Sequence, residues 1–365
     1  ADWLYETRCR KCGKTSITEY AIWSDEFQCP RCDASFLLWD VAVDKLGKVS
    51  REFFCPTCGK ELRKTSCKRV NSKPVKVNYN CPRCKRQEAN ISEFDLAKLA
   101  EIERRWTRIY SEDLPPDTKD SFWPVDENLK PLWFPSNRMP DGDEARRNDK
   151  IGITHVNHFF STRNLWFLTW LWNQIPKMTK NDIMKNKLRF VFTSILTISS
   201  KMGRYGKRTG NISGTLYIPS LIKEMNVSRF VKRKIWGPKG VYPAFKELWI
   251  LIWKEQRFIV LTQSATDLSN IPSDSIDYVF TDPPFGGNLM YSDLNFLWEA
   301  WLGQFTDIEE EAIISRKQGK GVKEYKQLMT ESFHEVYRVL KPGRWMTMVF
   351  HNSRGEVWQA IQEGL

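Results

Sequence analysis

Residues 277–286 read Asp-Tyr-Val-Phe-Thr-Asp-Pro-Pro-Phe-Gly, in which an apolar strand leads directly into an acidic residue, two prolines and an aromatic ring. Around this run, the pattern predicts further strands at 258–261 and 345–350 and helices at 323–340 and 356–365. Strands that alternate with helices are typical of a parallel α/β sheet, in which ligands bind at the carboxyl ends of the strands. The sequence therefore predicts that Asp282 lies at a ligand-binding edge.

The residue types at 282–285 suit transfer of a group to an exocyclic amine. Such a nitrogen is a poor nucleophile because its lone pair is delocalised into the ring, and acceptors on its N–H bonds restore electron density. Asp282 offers a carboxylate and Pro283 a carbonyl, while the two prolines restrict the backbone that holds them. Phe285 offers a flat face for a base turned out of a duplex. The structural alternative is an ordinary Asp-Pro turn at a strand end.

The run Asp282-Pro283-Pro284-Phe285 resembles the [D/N/S]-P-P-[Y/F/W] motif of N6-adenine and N4-cytosine methyltransferases. Together with four upstream CxxC pairs, it makes the chain similar to the zinc-ribbon-containing adenine-specific DNA methylases. The resemblance covers most of the chain and is tightest over 258–300 and 331–365. It implies a Rossmann-like S-adenosylmethionine-dependent methyltransferase sheet, partial in this chain, that acts on double-stranded DNA with a flipped base in a prokaryotic cytosol.

The resemblance also implies roles for individual residues. Asp282, Pro283, Pro284 and Phe285 would be catalytic, and an acidic first residue favours adenine N6, with cytosine N4 left open. Residues 262–268 are similar to the segment that approaches the cofactor, so Ser264, Asp267 and Asp282 would bind S-adenosylmethionine. Tyr291 and Asp293 are expected to shape the pocket.

Two features depart from the family pattern. No glycine-rich cofactor loop of the Asp-Pro-Phe-x-Gly-x-Gly type occurs in the chain, and the expectation is that it lies upstream of Ala1. Ser264 stands where many relatives carry an acidic residue. These departures keep two alternatives open: an RNA or protein amide methyltransferase, and a non-catalytic zinc-ribbon DNA-binding protein.

Eight of the nine cysteines form CxxC pairs before residue 85, and Cys67 is left over. The pattern is typical of structural zinc in a reducing compartment, with two pairs around each ion. The predicted ligands are Cys9, Cys12, Cys29, Cys32, Cys55, Cys58, Cys81 and Cys84. The spacers favour sequential pairing, 9/12 with 29/32 and 55/58 with 81/84, over an interleaved arrangement.

The formal charge is +12 and the pI about 9.2, which suits a polyanionic partner such as nucleic acid. Positive charge concentrates between residues 201 and 240. The predicted DNA contacts there are Arg204, Lys207, Arg208, Lys232, Arg233 and Lys234, with a solvated basic face as the alternative. No apolar run reaches the roughly 18 residues of a membrane helix.

The predicted division of the chain has five parts: a first zinc ribbon (1–48), a second (49–91), a helix with a proline-rich connector (92–150), a helical, basic target-recognition segment (151–250) and the C-terminal part of the catalytic domain (251–365). Ser92 is expected to cap the first helix with Asp95 at its third position, and Leu96, Leu99 and Ile102 to form its apolar stripe. A buried helix over 164–175 is expected to end before Pro176. His351 follows a strand end and is a candidate for the pocket wall.

Overall fold

The computed structural model describes residues 2–45, 47–111, 123–206, 214–252 and 260–365, and gives only the backbone for 248–252. It is a mixed α/β chain of two compact units. Unit 1 holds Ala1–Arg138 with Asn148–Leu251, and unit 2 holds Met139–Arg147 with Ile252–Leu365. None of the described helices has the length and apolar character needed to span a membrane. Unit 1 thus contains the cysteine-rich region together with the helical, basic segment.

Unit 1 is built on a sheet whose two long strands lie side by side. Its strands are β1 (Glu6–Arg8), β2 (Thr15–Gln28), β3 (Ser35–Leu37), β4 (Glu52–Phe54), β5 (Glu61–Arg63), β6 (Lys68–Cys81), β7 (Lys85–Asn90) and β8 (Leu221–Met225). β6 pairs antiparallel with one edge of β2, from Ile17 opposite Asn80 to Gln28 opposite Lys68, and β7 pairs with β6. Along the other edge of β2 lie β1, β8 and β3 in succession. β4 and β5 form a separate hairpin.

The helices of unit 1 are α1 (Leu38–Ala42), α2 (Glu93–Tyr110), α3 (Thr162–Met178), α4 (Asp182–Ser199), α5 (Val227–Trp236) and α6 (Val241–Ile252). The predicted cap of α2 is confirmed, since the Ser92 hydroxyl accepts from the Asp95 N–H and the Asp95 carboxylate accepts from the Ser92 N–H. The apolar stripe is partly wrong. Leu96 is 47% exposed, whereas Ile102 and Ile109 are buried. These two isoleucines are seven residues apart and therefore lie on the same face of α2, which is the face that packs inward.

The predicted end of the buried helix before Pro176 is also wrong. Pro176 lies inside α3, in its last turn. A proline there removes a single hydrogen bond near the end of the helix, which the buried face of α3 compensates. The predicted strand at 258–261 lies partly outside the described residues, and Val260 and Leu261 adopt no regular structure.

A buried ion pair joins β8 to α3. Glu224 and Arg163 have side chains only 5% and 7% exposed, and the Arg163 Nε donates to Glu224 over 2.8 Å. Glu224 also accepts from the Ser161 hydroxyl and, over 2.6 Å, from the Trp23 indole N–H of β2. Burial would raise the pKa of Glu224, but the Arg163 charge and these hydrogen bonds lower it below its ordinary value. Glu224 is therefore charged and fully partnered in the interior.

Unit 2 contains β9 (Ile276–Thr281), α7 (Tyr291–Leu302), α8 (Val322–Val339), β10 (Leu340–Met348) and α9 (Gly355–Gly364). The predicted elements after residue 275 are thereby confirmed to within a few residues. β9 and β10 are parallel, with Tyr278 opposite Trp345 and Thr281 opposite Met348. One face packs against α8 and α9 around Met329, Phe333 and Ile361. On the other face Tyr278, Phe280 and Trp345 are 54%, 64% and 77% exposed.

We expect Arg163→Met to lower the free energy of unfolding by about 3–5 kcal/mol, because it leaves the buried Glu224 carboxylate without its charge partner. Urea unfolding in the presence of zinc, followed by tryptophan fluorescence, measures this loss. Arg63→Met is the matched control. Its pair with Glu52 is 70% and 48% exposed, so the expected loss is at most about 1 kcal/mol. Equal losses in the two variants would contradict the role of the buried pair.

Candidate active site and metal centres

Two groups of four cysteines can each hold a metal ion. Cys9, Cys12, Cys81 and Cys84 form one group, and Cys29, Cys32, Cys55 and Cys58 form the other. The predicted eight ligands are therefore brought together in two sets, but the preferred sequential pairing is wrong. In sequence, the group from Cys29 to Cys58 (the inner group) lies between the two cysteine pairs of the other group (the outer group). The predicted boundary between ribbons at residue 48 therefore falls within the inner group. Cys67 belongs to neither group, as expected.

The pairing follows from the two long strands. β2 begins shortly after Cys12 and ends just before Cys29, while β6 ends at Cys81. Because β2 and β6 are antiparallel, the start of β2 meets the end of β6 and brings Cys9 and Cys12 to Cys81 and Cys84. Fourteen residues of extended chain then separate the two groups by roughly 45 Å.

The four CxxC turns share one backbone feature. The residue after the second cysteine is left-handed in each, with φ of +70° at Gly13, +56° at Asp33, +68° at Gly59 and +59° at Lys85. In three of them its N–H donates to the carbonyl of the first cysteine over 2.9–3.0 Å. Glycine adopts this conformation without strain, whereas Asp33 and Lys85 pay a steric cost that the turn imposes.

The spacing of the sulfur atoms fits zinc. A tetrahedral ion with Zn–S bonds of about 2.3 Å places its ligands about 3.8 Å apart. The Sγ–Sγ distances are 3.6 Å for Cys12 and Cys81, 3.8 Å for Cys29 and Cys58, and 3.7 Å for Cys32 and Cys55. Backbone N–H groups lower the pKa of Cys55 and Cys81 to about 6, whereas the crowded neighbouring thiols raise that of Cys84 to about 12, so a bound cation is needed for all four thiols of a group to be thiolates. Four thiolates leave no open position, so both sites suit a structural ion.

The motif at 282–285 follows β9 directly. The Val349 N–H donates to the Thr281 carbonyl over 2.9 Å, so the pairing with the β10 chain continues to the point where the motif begins. Pro283 is buried, while the Asp282 side chain is exposed. Asp282 thus lies at the carboxyl end of a parallel strand, as the sequence predicted, and its carboxylate is accessible.

Two side chains that the sequence analysis did not single out hold the motif's backbone. The Tyr325 hydroxyl of α8 donates to the Pro284 carbonyl over 2.7 Å, and the Asn352 amide donates to the Phe285 carbonyl over 2.7 Å. Both residues are buried, and burial raises the pKa of Tyr325 to about 12. Tyr325 lies on the predicted helix, but nothing in its sequence context indicated a contact with Pro284.

The Phe285 ring is held by two further aromatic side chains that pack in succession. It packs edge-on against Phe350 with centroids 5.4 Å apart, and Phe350 packs edge-on against Trp358 of α9 at 4.9 Å. The Trp358 indole N–H donates to the Asn352 carbonyl over 2.8 Å. His351, between Phe350 and Asn352, is exposed. The predicted stacking ring is therefore held by its neighbours in one orientation.

The residues expected to hold the cofactor are not brought to Asp282. The Leu268 N–H donates to Glu335, and the Arg338 guanidinium donates to the carbonyls of Leu268 and Ile271. These contacts dock the segment that carries Ser264 and Asp267 against the C-terminal part of α8. Tyr325, which touches the motif, lies near the other end of that helix, roughly 20 Å away at 1.5 Å per residue.

Asp267 and Ser264 make local contacts instead. The Asp267 carboxylate accepts from the Ser269 N–H over 2.9 Å, which lowers the pKa of Asp267. The Ser264 hydroxyl lies 2.7 Å from that of Thr266. Both residues therefore stabilise their own turn.

Asp293 has a structural contact of its own. It is buried at the start of α7, and its carboxylate accepts from the N–H groups of Glu144 and Ala145 over 3.1 and 3.2 Å. Burial raises the pKa of Asp293. Asp293 thereby anchors residues 139–147 within unit 2, while Tyr291 beside it is 38% exposed.

Of the predicted DNA contacts, Arg204 and Arg233 are brought together on one groove of unit 1. Lys232 and Lys234, on the same helix as Arg233, do not line that groove. Lys207 and Arg208 lie outside the described residues. The groove also gains Arg86 from β7 and Lys223 from β8, which sequence reasoning missed because no local basic cluster contains them.

No protein-family model, curated protein or solved structure matches this chain.

Zinc content after exposure to a chelator tests the nested pairing. We expect Cys12→Ser/Cys84→Ser to retain one tightly held zinc, because both changes fall in the outer group. The matched variant Cys12→Ser/Cys32→Ser removes one thiolate from each group and should retain none that resists the chelator. Cys67→Ser should retain two. The reverse result for the two double variants would restore sequential pairing.

Tyr325→Phe tests the support of the motif. It leaves the part-buried Pro284 carbonyl without its partner and should lower the free energy of unfolding of unit 2 by about 1–3 kcal/mol. Hydrogen exchange of the amides around 282–287 reports the loss locally. Tyr337→Phe, on the same helix and 85% exposed, should change stability by less than about 0.5 kcal/mol. Unchanged exchange in Tyr325→Phe would show that this hydrogen bond does not support the motif.

Proposed function

We propose that this protein is a DNA methyltransferase that places a methyl group from S-adenosylmethionine on the exocyclic amine of a base, with adenine N6 favoured over cytosine N4. In this proposal β9 and β10 belong to a Rossmann-like sheet. The observation that carries it is the accessible Asp282 carboxylate at the carboxyl end of a parallel strand, followed by a backbone held by Tyr325 and Asn352.

The occupied carbonyls define which acceptors face a substrate. Tyr325 and Asn352 already donate to the carbonyls of Pro284 and Phe285. Among the described residues, the Asp282 carboxylate makes no hydrogen bond or ion pair. A substrate N–H would therefore find the Asp282 carboxylate, whereas Pro283, whose carbonyl the resemblance implies as a second acceptor, is buried. An acceptor fixed in this way orients the amine and increases electron density on its nitrogen as the new bond forms.

Phe285 supplies the apolar surface that such a substrate needs. A base turned out of a duplex loses its stacking neighbours and recovers part of that energy against an aromatic ring. Because Phe350 and Trp358 fix the Phe285 ring, stacking there costs little conformational entropy. Tyr325 and Asn352 act as positioning residues in this scheme, since each reaches the substrate site only through the backbone.

The part of the site that would bind the methyl donor is less complete. S-adenosylmethionine would supply the methyl group, but Ser264 and Asp267 are docked near the C-terminal end of α8 and do not converge on Asp282. The residues that the resemblance implies for the cofactor therefore do not fit that role in this structure. The proposal assigns to this chain the binding and orientation of the amine, and assigns no cofactor contact to Ser264 or Asp267.

This mismatch favours a second candidate, a zinc-dependent DNA-binding protein without catalytic activity. The basic groove of unit 1 and the closed four-thiolate sites are the features that support this candidate. Equilibrium dialysis with S-adenosylmethionine separates the two candidates, because only the methyltransferase requires the cofactor.

Methyl transfer from labelled S-adenosylmethionine to mixed-sequence duplex DNA tests the first candidate. Asp282→Ala should reduce transfer by about 100-fold or more, because the amine loses its fixed acceptor. Asp277→Asn is the matched control at the opposite end of β9, where Asp277 pairs with Lys341, and should retain activity. Competing RNA and protein substrates test the amide alternatives. Absence of both transfer and cofactor binding, with DNA binding retained, would favour the second candidate.

A further inference from the structure

Two adjoining grooves cross unit 1. The first has a volume of about 510 Å³ and is walled by residues of β2, β6, β7, β8 and α5. The second has a volume of about 550 Å³ and lies against the β4–β5 hairpin of the inner cysteine group. Arg204 lines both grooves, so the two adjoin at that residue.

Basic side chains dominate both walls. The first groove carries Arg86, Arg204, Lys223 and Arg233. Its one acidic lining residue is Glu19, which forms an ion pair with Arg229. The second groove is lined by Arg51, Arg63, Lys64 and Arg204, and no acidic residue is among its lining residues. Glu52 compensates Arg63 alone. The two grooves thus present more positive than negative charge, since the cations outnumber the nearby carboxylates of Glu19, Glu52 and Glu88.

The fold builds this arrangement from distant segments. Residues 203–205 lie against β8, where the Lys223 N–H donates to the Gly203 carbonyl over 2.8 Å and the Tyr205 N–H donates to the Leu221 carbonyl over 3.0 Å. A Cβ at Gly203 would lie 2.6 Å from the Lys223 carbonyl, so glycine permits this approach. Arg86 is anchored by its Nε, which donates to Asn78 over 3.1 Å. Positions 86, 204 and 223 are therefore fixed by the sheet.

Crowding of positive charge is visible at Lys223. Its ammonium lies 4.2 Å from the centroid of the Tyr20 ring. Burial lowers the pKa of Lys223, and the Arg86 guanidinium lowers it further, while the Glu88 carboxylate opposes this shift only in part. A bound anion would relieve this repulsion.

The aromatic rings along the grooves are already engaged. The Tyr20 ring is covered by Lys223, and its hydroxyl donates to Glu88 over 3.2 Å. Tyr205 packs edge-on against Trp39 at 5.3 Å, and the Tyr217 hydroxyl accepts from Lys64 over 3.0 Å. Single-stranded nucleic acid needs exposed rings on which its bases stack. The grooves instead offer cations, which suit a phosphodiester backbone.

We propose that the two grooves form one track for the phosphodiester backbone of duplex DNA, with Arg204 at its centre. The inference rests on the proposed function for the choice of DNA as the polyanion. The zinc sites contribute to this track indirectly. The outer cysteine group fixes the end of the sheet at which Arg86 lies, and the inner cysteine group fixes the β4–β5 hairpin with Arg51 and Arg63.

The test is the salt dependence of binding to a mixed-sequence duplex, measured by fluorescence anisotropy with the zinc-loaded protein. Each lost phosphate contact lowers the slope of log K against log salt concentration by about 0.9. Lys64→Gln and Lys223→Gln, one from each groove, should each lower the slope by about that amount, and the double variant by about twice as much. Arg204→Gln should lower it in the same way.

Lys180→Gln is the matched control. Lys180 is exposed and precedes α4, whereas Ile198 near the other end of α4 lines the first groove, roughly 27 Å away along the helix. The slope of log K against log salt concentration for Lys180→Gln should equal that of the unaltered protein. Unchanged slopes in the groove variants would overturn the track, as would a loss confined to one groove. Tighter binding to the single strand, or equal binding to phosphatidylglycerol vesicles, would overturn duplex DNA as the occupant.

Methyl transfer and the salt dependence of binding can fail independently of each other. Lowered slopes in the groove variants without methyl transfer by the unaltered protein would support the track and overturn the methyltransferase. Methyl transfer with unchanged slopes in the groove variants would overturn the track alone.

Discussion

Strand β2 runs for fourteen residues through unit 1, and the backbone groups along both of its edges need hydrogen-bonding partners. β6 provides them on one edge. On the other edge β1 and β3 cover only the two ends, and β8 fills the gap between them. This insertion places Glu224 in the interior, where Trp23, Ser161 and Arg163 satisfy it. The cysteine-rich ribbon and the helical segment are consequently one folding unit, because each completes the other's hydrogen bonds.

The two cysteine groups act at the ends of this framework. The outer group joins residues near the beginning of the chain to Cys81 and Cys84, and the inner group joins the β4–β5 hairpin to the far end of β2. Closing a long loop with a metal restricts the unfolded chain more than closing a short one. The nested arrangement therefore closes one long loop and one short loop around the same pair of strands. It also fixes the two ends of β2 and β6, and the basic grooves lie between these ends.

In unit 2, a rigid backbone carries an accessible charge. Tyr325 and Asn352 satisfy two successive carbonyls of the motif, and Phe350 and Trp358 fix the Phe285 ring. Asp282 alone keeps its acceptor exposed. A fixed acceptor beside a fixed aromatic ring is suited to orienting a planar amine, since little further ordering is needed when the substrate binds. Among the described residues, Tyr278, Phe280 and Trp345 remain exposed on one face of the sheet, whereas parallel strands are ordinarily covered on both faces.

The sequence by itself determined the features that depend on neighbouring residues. The cap formed by Ser92 and Asp95, the four CxxC turns, strand β9 and helix α8 all follow from local pattern and turn chemistry. The tertiary structure decided how the cysteine pairs combine, which carbonyls Tyr325 and Asn352 hold, where Asp267 lies, and that Arg86, Arg204, Lys223 and Arg233 share one groove. These contacts join segments far apart in the chain, and their register is set by strand pairing and burial, which no local pattern encodes.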